Sequence, residues 1–390
     1  MRNLVNVCSA CFADEALQEF IRENSDACEC SYCGQFSGSP IAVDIREVGA
    51  YMAECLGQEY DAAAKWLPHE SSEGGFQGDH FDTYDLLTEE IELDLPNDRR
   101  GTLLSDLVDA IGNQDWCPAD PFGPGTILQA QLSWDRFAEI VIHERRYFFH
   151  QVGLSEASEA SPPAKTLEKI YEFGEDTGLV RTLPVRTSFV RVRGDKQGVV
   201  LSGPDALGPP SRVQARSEGR MNPAGVVVMY VSDSVETASA ETAGREDSGN
   251  RFFGVFETLR GITLFDLSEL PSIPSLFARV PDHLSYWPRQ AALFLRSVIP
   301  QMSKPVSPDD RVHLEYIPTQ VVAEFLRHRQ SQYRELDGIA YRSAVQKSGV
   351  SYVLFAERQN IVGTTLSEEE SRRGSDVWLR LVDEGSLPMP

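Results

Sequence analysis

Apolar and polar residues alternate with helical spacing in several stretches of the first half of the chain. Val43–Leu56 places its apolar residues three or four positions apart, as an amphipathic helix does. Tyr84–Leu93 and Leu103–Ile111 show the same pattern. A longer helix is predicted to start at Ser133 as its cap, with apolar residues at helical spacing over positions 137–148. We therefore predict a helical first half.

The second half contains short runs of β-branched and aromatic residues, which are typical of strands. Two helical patches, Ser234–Glu241 and Thr319–Arg327, alternate with these runs. The pattern predicts a mixed α+β domain with short strands. The predicted strands are Val190–Val192, Val226–Tyr230, Gly261–Asp266 and Tyr352–Phe355.

A low-complexity stretch, Ser155–Pro163, separates the two halves. A chain of 390 residues has room for two domains. We therefore predict an N-terminal domain over residues 1–154, a linker over 155–165 and a second domain over 166–390.

The charge is distributed unevenly between these halves. The formal net charge is −23, of which residues 1–160 carry −21 and residues 161–390 carry −2. The acidic first half argues against a nucleic-acid partner, because it repels phosphate backbones. The balanced, arginine-rich second half suits an anionic small molecule. No apolar run reaches the roughly 20 residues that a bilayer demands, and no secretory signal is visible, so we expect a cytoplasmic protein without membrane contact.

Five of the seven cysteines lie close to the N-terminus. Cys8 and Cys11 form one C-x2-C pair, and Cys30 and Cys33 form a second pair after eighteen intervening residues. This spacing predicts a structural Zn²⁺ held by four thiolates, with the metal supplying folding energy to a short segment. Cys28 is an alternative to Cys30 as the ligand.

The second half contains a series of short motifs: Phe189–Arg193, Arg220–Gly225, Tyr230–Asp233, Thr237–Glu241, Leu264–Ser268, Tyr316–Glu324, Asp337–Ser343 and Val353–Phe355. In this order the motifs resemble the RES domain. This family is named for an Arg, a Glu and a Ser, and the resemblance spans roughly Val185–Arg358. The first half, with paired cysteines and helices, is similar to the HEPN-type N-terminal domains found ahead of RES domains.

The resemblance implies an ADP-ribosyltransferase-like fold that binds and consumes NAD⁺, preceded here by a helical domain that starts with a zinc knuckle. Members of the family are toxins of toxin–antitoxin pairs, so an antitoxin or regulatory protein is an expected partner. Some members cleave NAD⁺ by hydrolysis or phosphorolysis, and others ADP-ribosylate a protein. The resemblance therefore implies an enzyme, and it leaves open whether water, phosphate or a protein accepts the ADP-ribose.

The family's catalytic residues correspond to four positions of this chain: Arg191, Tyr230, Glu241 and Ser343. Cleavage of the nicotinamide–ribose bond develops oxocarbenium charge, which the carboxylate of Glu241 can stabilise. A guanidinium such as Arg191 can clamp the pyrophosphate, and Tyr230 offers a ring to the nicotinamide and a hydroxyl for orientation. Ser343 can donate a hydrogen bond to a phosphate or a ribose.

Two further residues, Arg220 and Ser232, are expected to join Arg191, Tyr230 and Ser343 in binding NAD⁺. Arg220 is either a second anion ligand or a residue that only pins a loop. Many members of the family carry Asn where this chain has Ser351, a departure that leaves the substrate choice open.

Two other functions compete with NAD⁺ cleavage. Arg145 and His150 fit the Arg-x4-6-His motif of HEPN ribonucleases, in which they would clamp phosphate and act as a general base. Alternatively, the first half is a non-enzymatic recognition module that senses a partner or holds the second half inactive. A second copy of the chain is a further candidate partner, in a homo-oligomer. The chain has neither a P-loop nor a G-x-G-x-x-G motif, so NAD⁺ would be a consumed substrate rather than a redox carrier.

Overall fold

The computed structural model describes residues 5–70, 75–123, 125–147, 162–195, 198–243, 250–280, 284, 288–304, 312–329, 335–363 and 376–388. The chain forms two compact units. The first comprises Met1–Gln129 and Ile273–Gln290, and the second comprises Ala130–Ser272 and Ala291–Pro390. The predicted linker at 155–165 lies mostly outside the described residues, and a helix is already present at 162.

The first unit is built from short strands and helices around one main core. Its strands are β1 (Asn6–Cys8), β2 (Ala42–Asp44), β3 (Tyr60–Ala62), β4 (His69–Glu70), β5 (Gly75–Phe76), β6 (Phe81–Asp82) and β7 (Asp115–Pro118). Its helices are α1 (Glu15–Asn24), α2 (Ile45–Leu56), α3 (Ala63–Trp66), α4 (Thr83–Asp85) and α5 (Leu103–Ile111), with a π-helical turn at Leu86–Glu90.

Two of the predicted helices in this unit are confirmed by α2 and α5. The side chain of Asp44 caps α2 by accepting a hydrogen bond from the backbone N–H of Arg46. Helix α5 ends at Ile111 and is followed by Gly112, whose φ of 99° a residue with a Cβ rarely adopts. The predicted cap at Ser133 is wrong, because Ser133 lies inside the helix Gly125–Glu139. Ser is favoured at N-caps, but it is tolerated inside a helix, so a serine ahead of an apolar pattern does not by itself fix the start.

The second unit contains the remaining elements. Its helices are α6 (Gly125–Glu139, with a π-helical turn at Ile140–Glu144), α7 (Pro162–Asp176), α8 (Pro204–Leu207), α9 (Val235–Thr242), α10 (Pro288–Ser303), α11 (Val312–Glu315) and α12 (Ile317–His328). Its strands are β8 (Val180–Leu183), β9 (Ser188–Asp195), β10 (Met229–Ser232), β11 (Asn250–Thr258), β12 (Ile262–Leu267), β13 (Gly338–Arg342), β14 (Val350–Leu354), β15 (Ile361–Val362) and β16 (Leu379–Leu387).

The strands β8 to β16 form one nine-stranded sheet in the order β15-β16-β11-β9-β10-β14-β13-β12-β8. The pairs β12–β13 and β15–β16 are parallel, and the other neighbours are antiparallel. Apolar side chains cover both faces. One face packs against α6, α7, α10 and α12 through residues such as Phe265, Ile339 and Val353. The other carries a separate core that includes Phe189, Leu207 and Trp378.

The mixed α+β character of the second half is confirmed, but the sheet is larger than predicted. Strand β11 alternates between buried and half-buried residues, yet two adjacent phenylalanines and Gly254 obscure that period in the sequence. The predicted strand Val226–Tyr230 starts too early in the sequence. Strand β10 begins only at Met229, after the turn that contains Gly225, whose φ is 93°. Within the described residues, no helix is long and apolar enough to cross a membrane.

Candidate functional site

A cavity of about 350 Å³ opens in the second unit beside β9, β10, β13, β14 and α9. Among the described residues that line it are four arginines and one glutamate, so the cavity is suited to an anionic ligand. Tyrosine, serine and threonine side chains supply the other polar groups. The polar lining residues are Arg191, Arg193, Ser217, Arg220, Tyr230, Ser232, Glu241, Thr242, Tyr316, Tyr341, Arg342 and Ser351.

Glu241 is placed in this cavity by the helix α9. The helix is capped by Ser234, whose hydroxyl accepts from the N–H of Thr237. The carboxylate of Asp233, one residue earlier, accepts a 2.9 Å hydrogen bond from the N–H of Val350 and so ties the start of the helix to β14. Glu241 follows near the C-terminal end of the helix, where its half-buried carboxylate faces the cavity.

Two serine hydroxyls bind one oxygen of the Glu241 carboxylate. Ser343 Oγ donates to Glu241 Oε1 at 2.6 Å, and Ser351 Oγ donates to the same oxygen at 3.3 Å. Both serines are buried, and they come from the end of β13 and from β14. Two hydrogen bonds to one oxygen restrict the rotation of the carboxylate.

The direction of the Ser343 hydrogen bond is fixed by its surroundings. Ser343 Oγ accepts from the backbone N–H groups of Val345 and Gln346, at 3.3 and 3.1 Å. A hydroxyl has one proton and two lone pairs, so with both lone pairs engaged the proton points to Glu241. The Ser343 hydroxyl thus donates to Glu241 in this structure, and its donation to a phosphate or ribose stays a prediction.

Tyr230 is held by the loop that precedes β10. Its hydroxyl donates to Asn222 Oδ1 at 2.8 Å and accepts from the N–H of Met221 at 3.1 Å. Gly219 approaches so closely that an added Cβ would lie 2.5 Å from Tyr230 Oη. The buried amide of Gln320 on α12 donates to the carbonyl of Gly219 at 2.9 Å. The loop thus fixes the tyrosine hydroxyl, while the ring lines the cavity.

Arg220 lines the cavity and also anchors this loop. Its Nη1 donates to the carbonyls of Met302 and Lys304, at 3.0 and 2.8 Å, near the C-terminal end of α10. Its guanidinium lies 5.4 Å from the ring centroid of Tyr316. Of the two roles left open by the sequence, loop anchoring is the one for which contacts are seen.

Arg191 and Arg193 project from β9 away from the side chains of Tyr230 and Ser232. Ser232 pairs with Val190 across the strands, and directly opposed residues share a face, so Arg191 lies on the other one. Arg191 Nη1 donates to the carbonyls of Leu207 and Gly208, and Arg193 Nη1 donates to that of Ala206 at 2.6 Å. Both residues are also part of the cavity wall, while their guanidinium groups hold the 204–208 segment on the other face of the sheet.

The residues that line the cavity but were not among the predicted site residues include Tyr316, Tyr341, Arg342 and Ser351. The first three lie inside motifs that carried the resemblance. Ser351 stood out in the sequence only as a departure from Asn. Its contact with Glu241 spans 110 residues of sequence, and no local pattern reveals such a contact. Ser232, which was predicted, is buried and lines the same cavity.

The four predicted metal ligands come together in the first unit. The Sγ atoms of Cys8, Cys11, Cys30 and Cys33 all lie within 4.8 Å of one another, and no disulfide joins them. Sulfur–sulfur distances of 3.9, 3.5 and 3.7 Å match the roughly 3.8 Å expected in a tetrahedron with metal–sulfur bonds of about 2.3 Å. The donor set therefore fits a structural zinc ion, and Cys28 lies outside the cluster.

The surrounding chain supports this cluster. Gly34 has a φ of 74°, which permits the tight turn after the second pair. Tyr32 is buried and its hydroxyl donates to Asp106 on α5 at 2.9 Å, which ties the knuckle to a helix. Hydrogen bonding with Cys30 and Cys8, together with burial, raises the pKa of the Cys11 thiol well above its ordinary value. A divalent cation would offset that effect by binding the thiolates.

The ribonuclease motif receives no geometric support in the described part of the chain. Arg145 is exposed, just after the π-helical turn that follows α6. His150 lies outside the described residues.

Comparisons with known proteins identify both halves. A family model for HEPN/RES N-terminal domain 1 matches residues 23–155, and one for the RES domain matches residues 197–371. Arg191 precedes the matched range, whereas Arg220, Tyr230, Ser232, Glu241 and Ser343 all lie within it. No curated protein matches the sequence.

One solved structure, titled as the M. tuberculosis MbcT–MbcA toxin–antitoxin complex, shares 14% identity, with 56% of this chain and 92% of that chain covered. Its TM-score is 0.31, too low to carry an argument about the fold. The two family models, rather than this structure, identify the domains of the chain. The chain is a RES-domain protein in which a HEPN/RES N-terminal domain precedes the RES domain.

Proposed function

We propose that the RES domain of this chain has an ADP-ribosyltransferase-like fold and cleaves the nicotinamide–ribose bond of NAD⁺. The observation that carries the proposal is the Glu241 carboxylate, which two serine hydroxyls hold at the edge of a cavity with four arginines. A fixed carboxylate suits a developing cation, and the arginines suit a pyrophosphate. The RES family match supports the same substrate.

In the proposed reaction the C1′–N bond breaks and both of its electrons leave with the nicotinamide. The ribose becomes an oxocarbenium ion, which the negative charge of Glu241 stabilises. Water, phosphate or a protein side chain then supplies the electron pair for the new bond to C1′ and loses a proton. With water as the acceptor, NAD⁺ and H₂O give nicotinamide, ADP-ribose and H⁺.

The other site residues have roles that follow from their contacts. Ser343 and Ser351 are positioning residues for Glu241, because both bond its carboxylate. Tyr230 presents its ring to the nicotinamide, since the loop fixes its hydroxyl. Arg220 and Arg342 attract the pyrophosphate, with Ser232 beside them. Arg191 and Arg193 support the site from the other face of the sheet, where they hold the 204–208 segment.

The HEPN/RES N-terminal domain is proposed to hold a structural Zn²⁺ and to bind a regulatory protein. The four cysteine sulfurs support the metal. The charge of −21 over residues 1–160 suits a basic protein surface better than a nucleic acid. A toxin with this organisation would act in the cytoplasm and require an antitoxin to restrain it.

The reaction can be identified by its products. Purified full-length protein is incubated with NAD⁺ in buffer with and without phosphate, and the products are separated and weighed by mass spectrometry. Nicotinamide should appear together with one of three products. Free ADP-ribose indicates water as the acceptor, phosphorylated ADP-ribose that forms only with phosphate present indicates phosphate, and ADP-ribose bound to protein indicates a protein side chain. The identity of the product assigns the acceptor. Intact NAD⁺ under all conditions, including after addition of cell extract as a source of acceptors, would refute the proposal.

A further inference from the structure

A second cavity, of about 720 Å³, lies between β12 and the C-terminal end of α10. It shares Arg342 with the cavity that contains Glu241. The residues that line it are Leu267, Ser268, Leu270, Ile299, Pro300, Gln301, Lys304 and Arg342.

A second contact connects the two cavities. Arg220, which lines the first, donates a 2.8 Å hydrogen bond to the carbonyl of Lys304, which lines the second. The end of α10 and the loop before β10 therefore meet where the cavities adjoin. A ligand longer than the first cavity can extend past Arg342 into the second.

The walls of the second cavity combine apolar surface with positive charge. Leu267 and Ile299 are buried, and Leu270 is 41% exposed at the rim. Lys304 and Arg342 are cations, and no carboxylate is among the described residues that line the cavity. Aliphatic walls suit the faces of a purine base, and the two cations suit a phosphate beside it.

The volumes of the two cavities also indicate which half of the substrate each cavity binds. A volume of about 350 Å³ is near the low end of the roughly 300–1,000 Å³ typical of ligand pockets. It suits the nicotinamide ribonucleotide half of a dinucleotide rather than the whole molecule. The larger cavity is then available for the other half.

We infer that the cavity between β12 and α10 binds the adenylate half of NAD⁺, with Arg342 and Lys304 near the pyrophosphate. This inference rests on the proposed function, because it names a subsite for the same substrate. It predicts that the enzyme distinguishes NAD⁺ from nicotinamide mononucleotide, which has the same scissile bond but lacks the adenylate.

The test compares kcat/KM for these two substrates in the full-length protein. Wild type should favour NAD⁺ over nicotinamide mononucleotide by at least about tenfold, since a charge-assisted contact contributes this much. Leu270→Trp should fill the rim of the second cavity, and Lys304→Ala should remove a cation from it. Each variant should lower the ratio of kcat/KM for NAD⁺ to kcat/KM for nicotinamide mononucleotide several-fold. Leu259→Trp, at a residue that is 37% exposed and lines neither cavity, is the matched control and should leave the ratio unchanged.

Calorimetric binding of AMP separates failure of this inference from failure of the proposed function. AMP should bind wild type and Leu259→Trp, and should bind Leu270→Trp several-fold more weakly. If neither NAD⁺ nor nicotinamide mononucleotide is cleaved but AMP binding follows this pattern, the adenylate subsite is supported and the proposed reaction is refuted. If AMP binds wild type and Leu270→Trp equally, or does not bind wild type, or both substrates are cleaved equally well, the subsite is refuted.

Discussion

At the scale of single residues, the site depends on one carboxylate whose position other side chains determine. Ser343 donates its only proton to Glu241 because both of its lone pairs accept from backbone N–H groups. Ser351 adds a longer bond from the neighbouring strand. The family's serine therefore acts through the glutamate in this account rather than on the substrate.

Replacing Ser343 by Ala should reduce kcat for nicotinamide release on the order of 10²-fold, with a smaller change in KM, because the carboxylate loses its shorter hydrogen bond. Ser351→Ala should have a weaker effect, since its bond is 3.3 Å long. Steady-state kinetics measures both, with Ser211→Ala, at a half-buried serine that lines neither cavity, as the control. Full activity in the double variant Ser343→Ala/Ser351→Ala would contradict the positioning role.

Gly219 offers a second test at this scale. Gly219→Ala should place a Cβ 2.5 Å from Tyr230 Oη and displace the tyrosine, lowering the free energy of unfolding by about 1–3 kcal/mol and reducing activity. Gly38→Ala is a suitable control, because an added Cβ there meets nothing within 4 Å and its φ is not positive. Chemical denaturation measures the difference, and equal stability of the two variants would show that the loop adapts.

At the scale of elements, the knuckle places four sulfurs around one point because two C-x2-C segments meet beside β1 and β2. Cys8 ends β1, and the chain between the pairs returns along α1. The spacing alone predicted this arrangement, because two C-x2-C turns can together supply the four sulfurs that surround one zinc ion. It did not decide between Cys28 and Cys30, which the fold resolves in favour of Cys30.

The two cysteines also provide a matched pair of variants. Cys30→Ser should lose the metal and lower the unfolding temperature of the first unit, because the remaining buried thiolates lack a partner cation. Cys28→Ser should retain one zinc ion per chain and unfold like wild type. Native mass spectrometry and thermal denaturation check both results. Equal metal content in the two variants would exclude the proposed ligand set.

The limits of prediction at this scale have a physical origin. Helix α5 was predicted with its bounds because an amphipathic period and a terminal glycine are local signals. Strands β11 and β16 were missed, because β11 contains Phe252, Phe253 and Gly254 in succession and β16 ends in a polar run. Both strands are specified by their long mutual pairing rather than by their own alternation. The contact between Glu241 and Ser343 is equally non-local. The motifs therefore predicted both residues as site residues but did not predict the hydrogen bond between them.

At the scale of the whole molecule, neither compact unit is a continuous stretch of sequence. Residues Ile273–Gln290 belong to the first unit although they follow β12 of the second. Helix α6 lies largely in the second unit, where Trp134, Phe137 and Val141 join the main core. The low-complexity stretch at 155–163 therefore does not mark the ends of the two cores.

A fragment that begins at Lys165 should consequently fail to fold cooperatively. It lacks the buried side chains of Trp134, Phe137 and Val141. Large buried side chains contribute about 3–5 kcal/mol each, against a typical total stability of about 5–15 kcal/mol. A fragment that begins at Gly125 keeps this core and serves as the comparison. Circular dichroism melting curves would separate them, and a sharp transition in the shorter fragment would show that α6 is dispensable.

The central claim, that Glu241 drives cleavage of NAD⁺, is tested most directly by the rate of nicotinamide release from full-length protein. Glu241→Gln keeps the shape of the side chain and removes its charge, so the rate should fall on the order of 10²–10³-fold. Glu236→Gln, at an exposed position on the same helix α9, should release nicotinamide at the wild-type rate. Equal rates in the two variants, or no release from wild type with water, phosphate and cell extract all supplied, would contradict the account.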